Sequence, residues 1–292
     1  MSVEPDTRIH VVDTDRRVVE PALAERFPGL RVLTPRSAWV TGHLSLQARP
    51  ETRATLVTEA LHGEALELLE ELNCGWAWVR TLHDGYLGYV HLQAGEVSDA
   101  APERPVTVTV PRTFLFAAPS IKSEVLSRPG RGASFTALEP AAVHFGDYRW
   151  WRVAYRGQDA YLHAAATIPL KPDVGTFTAA YLHTPYLWGG RSAWGLDCSG
   201  LAQLWAGKDA AGQSRLPRDA DQQQTATQPV EMPLAGDLAF FPGHVGIMLG
   251  ERRMLHANAT HLAVTVETLG EGHYGQKLLA ELLGYGRIPG RL

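Results

Sequence analysis

Two stretches of this chain repeat one pattern, and it restricts the N-terminal half more than any other feature. GWAWVRTLHDGYLGYVHL runs from Gly75 to Leu92, and RWWRVAYRGQDAYLHA from Arg149 to Ala164. Each has a tryptophan, a valine three positions later in an alternating run, a polar turn, and a strand centred on tyrosine. Period-two alternation broken by Gly, Asp and Asn turns marks short antiparallel strands, which suit small β-barrels. A further strand-like run precedes each stretch: EALELLEELN before the first, and a Pro/Gly-broken stretch from Val106 before the second. Two barrels are therefore expected, over residues 36–98 and 103–168, joined by the polar SDAAPERP (Ser98 to Pro105). Residues 1–35 fall outside the pattern, and the spacing of Ala22, Leu23 and Phe27 permits a short helix there.

The texture changes after a second break, IPLKPDVGT (Ile168 to Thr176), so residues 172–292 are expected to form a separate α+β domain. In DCSGLAQLWAGKDA, Leu201, Leu204 and Trp205 recur at helical spacing behind Asp197, an acceptable N-cap. Strand-like runs follow at Asp237–Phe241, His244–Gly250, Arg253–Asn258 and Leu262–Leu269. One helix followed by several antiparallel strands is the order of a papain-like core. A chain of 292 residues has length for two or three such cores.

Bulk properties exclude little. A formal net charge of -4 gives no reason to expect a nucleic-acid partner. Met1 to Glu20 has Asp and Arg scattered through it rather than a basic start and an apolar run, and no window approaches the ~18 apolar residues that span a bilayer. The expectation is a cytoplasmic protein with no membrane partner, working as a monomer. In a reducing compartment its two cysteines, Cys74 and Cys198, default to free thiols. Cys74 reads as a bystander packed as a small hydrophobe.

Thiolate chemistry needs a cysteine with a lowered pKa, a base for its proton, and a group that orients the base. Cys198 stands at the expected helix start, where unpaired N–H groups and the macrodipole favour negative charge and can hold an oxyanion. His244 and His256 fall on neighbouring strand-like segments joined by a turn at Gly250-Glu251-Arg252, so pairing of the strands brings one histidine behind the other. A histidine in the third position orients the base more than it stabilises a full imidazolium. These residues alone are not specific, since a buried cysteine at a helix start is usually structural. The histidines lack zinc-type spacing with Cys or carboxylates, so no metal or other cofactor is expected.

The surrounding strings are specific. PYLWGGRSAWGLDCSGL (Pro185 to Leu201) resembles the active-site signature of the NlpC/p60 family of cell-wall cysteine peptidases. LPRDADQQ (Leu216 to Gln223), LAGDLAFFPGHVGIMLG (Leu234 to Gly250) and LHAN (Leu255 to Asn258) follow in the family's order. The resemblance implies an α+β fold: a papain-like C-terminal catalytic domain preceded by two small all-β SH3-like barrels. It implies Cys198 as nucleophile, His244 as general base and acid, and His256 as the orienting third residue. Tyr186 takes the place of a tyrosine hydroxyl beside the site, Asp197 and Ser199 line the groove, and Trp188 walls the pocket for the first residue of the substrate. Read without the family, Tyr186 and Trp188 could be core aromatics and Asp197 only an N-cap, while Arg218 and Asp219 either form a surface turn or reach the groove.

The subgroup with upstream barrels implies a substrate as well. It cuts the bond between the γ-carboxyl of D-glutamate and a diamino acid in peptides that begin with a free L-alanine. Asp197 is expected to supply charge for the ammonium group. An acidic residue and a tyrosine of the first barrel are expected to close the far end, with Tyr86 and either Glu59 or Glu64 as candidates. Murein-peptide recycling is the implied role, and the diamino acid stays open among diaminopimelate, ornithine and lysine. The competing readings are a secreted autolysin with wall-binding barrels, a non-catalytic wall-peptide binder, and acyl transfer through the same thioester.

Overall fold

The computed structural model describes residues 4–93 and 95–291. The chain clusters into two compact units, Met1–Glu103 and Arg104–Leu292. Each is described by itself.

In the first unit, strands β1 (Val12–Asp13), β2 (Val18–Val19) and β3 (Arg31–Val32) form a small sheet, with a 3-10 turn at Pro21–Arg26 between the last two. The helical spacing at Ala22 and Leu23 thus becomes one short turn inside a β-structured segment. The larger sheet has seven strands: β4 (Arg36–Val40), β5 (Leu44–Gln47), β6 (Leu56–Ala60), β7 (Ala65–Glu71), β8 (Trp76–Thr81), β9 (Leu87–His91) and β10 (Val97–Ser98), in the order β10-β4-β7-β8-β9-β5-β6.

Strand β8 shows why tryptophan alternates there. Ala77 and Val79 point into the core formed by Ala38, Val40, Leu44, Leu46, Leu66, Leu68 and Val90. Trp78 points the other way, as the period of two requires, and packs with Val11, Val18, Leu33, Leu69 and Leu87. The N-terminal residues therefore cover the outer face of the sheet. Arg16 lies over the Trp78 and Tyr89 rings, 5.3 and 5.2 Å from their centroids. Buried Glu20 pairs with Arg80 and accepts from or shares a proton with His10 Nδ1 at 2.9 Å. Burial pushes its carboxyl up, but the bonds to His10 and Arg80 outweigh this and hold it below the ordinary value.

The second unit begins with a two-stranded pair, β11 (Pro105–Thr107) with β14 (Ser134–Thr136). Beside it lies a five-stranded sheet of β12 (Leu115–Phe116), β13 (Val125–Ser127), β15 (Val143–Phe145), β16 (Tyr148–Tyr155) and β17 (Gln158–His163), ordered β13-β12-β17-β16-β15. Tyr155 pairs with Gln158 across Arg156 and Gly157, both with positive φ. That geometry is the two-residue hairpin turn whose twist matches antiparallel strands.

After helix α1 (Val174–Tyr181) come the short strands β18 (Arg191–Ser192) and β19 (Gly195–Leu196), then α2 (Cys198–Ala206) and α3 (Ala220–Ala226). A six-stranded antiparallel sheet follows, β20 (Gln228–Val230), β21 (Leu238–Phe241), β22 (His244–Met248), β23 (Arg253–Asn258), β24 (Ala263–Thr268) and, beyond α4 (Gly272–Glu281), β25 (Gly284–Arg287). Its order is β20-β25-β21-β22-β23-β24. Leu201, Ala202 and Trp205 of α2 pack on Leu238, Phe240, Val245, Ile247 and Leu255 on one face. Leu278 of α4, with Tyr274 partly buried beside it, joins Ala239, Phe241, Met248 and Met254 on the other. Burial of both faces explains why LAFF carries no polar residue.

Candidate active site

Cys198 is the first residue of α2. Asp197 caps the helix, its Oδ1 accepting from Gly200 N–H at 2.7 Å. Helix α2 packs against β22, and the Val245 N–H reaches the Cys198 sulfur, as does the Ser199 N–H. The side chain preceding Val245 is His244. Its Nε2 lies 2.8 Å from His256 Nδ1. The rings meet at 71°, with centroids 5.1 Å apart.

His256 is wholly buried, with Tyr274 of α4 stacked on its ring at 5.8 Å. The Asn258 amide nitrogen stands 3.3 Å from its Nε2, 2.8 Å from Thr265 Oγ1 and 3.4 Å from Ala263 O. Gly246 is packed against the neighbouring strand, since a Cβ there would lie 2.7 Å from Met254 Sδ and 3.5 Å from His256 Cβ.

Burial sets the protonation of the resting site. Contrary to the lowered thiol expected at a helix start, it pushes Cys198 up to about 12, with the Asp197 charge adding to the rise and the Val245 and Ser199 N–H groups and Arg218 opposing it. Burial also lowers His244 to about 4, against a small upward pull from Asp197. His256 is held well below its ordinary value, by burial first and then by His244 and His261. At neutral pH the thiol and both histidines therefore favour their neutral forms. Burial likewise raises the Tyr186 hydroxyl to about 12, with Cys198 and Asp197 contributing, which places Tyr186 within electrostatic reach of the sulfur.

The sequence reading missed how the nucleophile loop is held. Arg218, 1% exposed, forks onto Asp197 with Nη1–Oδ1 at 3.0 Å and Nη2–Oδ2 at 2.6 Å, and Nη1 also donates to Ser199 Oγ at 2.8 Å. Asp197 Oδ2 accepts a further bond from Gly189 N–H at 2.9 Å. The charge expected to meet a substrate ammonium is thus already matched inside the protein. Gln223 ties the same region from α3, its Nε2 donating to Ser199 O at 3.0 Å and Pro217 O at 2.9 Å. The glycines are packing requirements: a Cβ on Gly190 would lie 2.4 Å from Gly195 O, and one on Gly200 2.4 Å from Gly190 O.

Of the remaining expected residues, Trp188 is 59% exposed and is no core aromatic, while Tyr186 is partly buried. Tyr86, Glu59 and Glu64 are buried in the first unit. Glu59 Oε1 meets His43 Nε2 at 2.8 Å, Glu64 Oε2 accepts from Leu61 N–H at 2.9 Å, and Tyr86 N–H donates to Thr81 Oγ1 at 3.1 Å. Among the described residues, no group of three or more His, Cys, Asp or Glu side chains is arranged to hold a metal ion.

A thiol at a helix start with a histidine pair behind it is what a cysteine-type hydrolase requires, and the similarity to known proteins makes this chain one. Residues 183–282 match the NlpC/P60 family, and residues 46–94 match the bacterial dipeptidyl-peptidase Sh3 domain. The chain thus carries an NlpC/P60 domain behind an SH3 domain of the dipeptidyl-peptidase kind. It is 27% identical over 266 residues to dipeptidyl-peptidase 6 of Lysinibacillus sphaericus, covering 84% of this chain and 96% of that protein. It is 29% identical over 213 residues to the gamma-D-glutamyl-L-lysine dipeptidyl-peptidase of Bacillus subtilis (strain 168), covering 67% of this chain and 68% of that protein. The crystal structure of an NlpC/P60 family protein from Bacillus cereus ATCC 10987 shares the fold, with a TM-score of 0.67 at 20% identity over 86% of this chain and 99% of that one.

Proposed function

We propose that this protein hydrolyses the γ-D-glutamyl–diamino acid bond of cell-wall peptides that carry a free N-terminal L-alanine, releasing L-Ala-D-Glu. In this reading Cys198 is the nucleophile, His244 the base and then the acid, and His256 the residue that orients His244. The five-stranded sheet of the second unit is read as a second SH3-like barrel, and α2 on its antiparallel sheet as a papain-like core. The role is recycling of murein peptides by a cytoplasmic monomer.

The observation that carries the reading is the 2.8 Å contact between His244 and His256, with the N–H of Val245, next to His244, reaching the sulfur that heads α2. As Sγ attacks the γ-carboxamide carbon, its proton passes to His244 Nδ1. The resulting oxyanion takes the N–H of Cys198, which as the first helical residue has no carbonyl partner one turn back. Collapse breaks the C–N bond, His244 returns the proton to the departing diamino-acid nitrogen, and a thioester remains. Water, deprotonated by the same ring, then releases the dipeptide and restores the thiol. The name of the Bacillus subtilis relative supports the bond chosen. Exposed Trp188, next to the paired glycines, supports the wall assigned to it. Because Asp197 is matched by Arg218, its charge is already engaged and is not assigned to the ammonium group.

The test offers purified protein L-Ala-γ-D-Glu-L-Lys, its diaminopimelate counterpart, and the same peptides N-acetylated. Cleavage of the free peptides, loss of cleavage on N-acetylation, and no turnover by Cys198→Ala are expected. Equal rates on free and acetylated peptides would refute the free-amine requirement. Release of soluble peptides from intact peptidoglycan would replace recycling with wall hydrolysis.

A further inference from the structure

We propose that Arg112 and Phe114, on the β-sheet part of the second unit, are positioning residues that hold the hairpin delivering Cys198. This rests on Cys198 being the nucleophile.

The hairpin β18–β19 consists of two strands of two residues each, and Leu196 at its end runs directly into Asp197 and Cys198. Two residue pairs cannot fix the shape of a hairpin in water, so its conformation comes from what packs on it. One side rests on the glycine-lined loop, where Leu187 N–H donates to Leu196 O at 3.0 Å and a Cβ on Gly195 would lie 2.7 Å from Leu187 Cβ. The other side rests on residues 112–130. Arg112 pairs through its backbone with Gly130, and a Cβ on Gly130 would lie 3.0 Å from Ser192 Cβ. The Arg112 side chain reaches past this contact, and Nη1 donates to Ala193 O at the turn, 3.3 Å away.

Aromatic rings extend the support. Trp194 at the hairpin tip meets Phe114 with centroids 6.1 Å apart, Phe114 meets Phe116 at 6.2 Å, and Phe116 meets Trp150 edge-on at 5.7 Å. Trp150 is fully buried in the centre of the sheet. A run of four rings therefore joins a rigid core to the tip of an otherwise weak hairpin, and each edge or offset contact adds to the restraint. Ser192 and Ala193 are 2% and 1% exposed, so the hairpin has little room to adjust on its own. Residues 104–292 cluster as one compact unit. The sheet is accordingly part of the catalytic framework and not only a tethered module.

The experiment compares Arg112→Met, Phe114→Ala and their double variant with Phe145→Ala, all on Cys74→Ser so that Cys198 is the one remaining thiol. Phe145 is exposed to a similar degree, 44% against 40% for Phe114, and packs on Tyr161 in the same sheet. Measured are kcat, KM, Tm, and the rate and pH profile of Cys198 alkylation by iodoacetamide. The expected result is a fall in kcat of about tenfold or more for the double variant, from lost alignment of the attacking sulfur. KM should hold within about twofold, the Cys198 alkylation profile should shift, and Phe145→Ala should match the parent. Unchanged kcat in the double variant overturns the proposal. So does a rise in KM at constant kcat, which would make these residues substrate contacts, or an equal loss in Phe145→Ala. Turnover by Cys198→Ala would instead overturn the assignment of the nucleophile.

Discussion

Replacing Arg218 by leucine should destabilise the second unit far more than a surface arginine would, and the size follows from what is left behind. The guanidinium is buried and makes two bonds to Asp197 and one to Ser199. Removing one partner of a buried pair leaves an uncompensated charge and costs roughly 3–5 kcal/mol. Asp197 keeps N–H bonds from Gly189 and Gly200, so the lower end, about 3 kcal/mol, is expected. In a unit of this size that lowers Tm by roughly 6–12 °C. Calorimetry on Arg218→Leu, Asp197→Asn and the double variant gives the cycle. Asparagine still caps a helix well, so the double variant should recover about 2 kcal/mol or more relative to the sum of the singles. A loss below about 1 kcal/mol for Arg218→Leu, or additive singles, would show that the pair does not hold the loop.

Three further outcomes are expected. Gly190→Ala forces a methyl group to within 2.4 Å of Gly195 O, a clash with backbone that no rotamer relieves, and should remove both activity and the alkylation reactivity of Cys198 while circular dichroism of the sheets persists. Stability should fall in acid because His244 is depressed: its neutral form contributes fully above about 6.5, and that contribution is lost as pH drops from there towards about 4, with His256 adding in the same direction; a flat urea midpoint across this range would contradict it. Asn258→Ala frees the far edge of the His256 ring and should lower kcat about tenfold with KM little changed, read by steady-state kinetics; an unchanged kcat would leave Tyr274 stacking as the effective restraint.

The start of α2 was legible because three local signals coincide: an N-cap at Asp197, apolar residues at helical spacing, and glycines on both sides. The strands from Leu238 to Thr268 were legible from their apolar runs. Helix α3 was not, although Asp219 and Gln222 form a capping box with Gln222 Oε1 accepting from Asp219 N–H at 3.3 Å. Its Gln-rich body carries no apolar stripe, so periodicity is silent. Arg218 was left open between a surface turn and the groove for a different reason. Nothing local distinguishes a buried arginine from one in a surface turn, because its partner is 21 residues away and desolvation of the pair is a property of the folded chain. Trp78 likewise broke the one-sided alternation expected of a barrel strand, since its outer face is covered by residues that looked like an unrelated extension. Tyr274 and Asn258 support His256 from α4 and β23, and no spacing rule connects an aromatic residue in a helix to a histidine in a strand.

In the proposed mechanism the third position is held by a histidine and not by a carboxylate, which changes how the enzyme counts protons. A carboxylate there would keep its charge across the working range, and the base would titrate alone. Here two imidazoles 2.8 Å apart repel each other's charge, so a single proton taken up in acid belongs to both rings and already silences the base. The second must enter against the first. Acid inactivation should therefore be a shallow, one-proton event described by constants of the couple, and a substitution at either ring will move the whole curve.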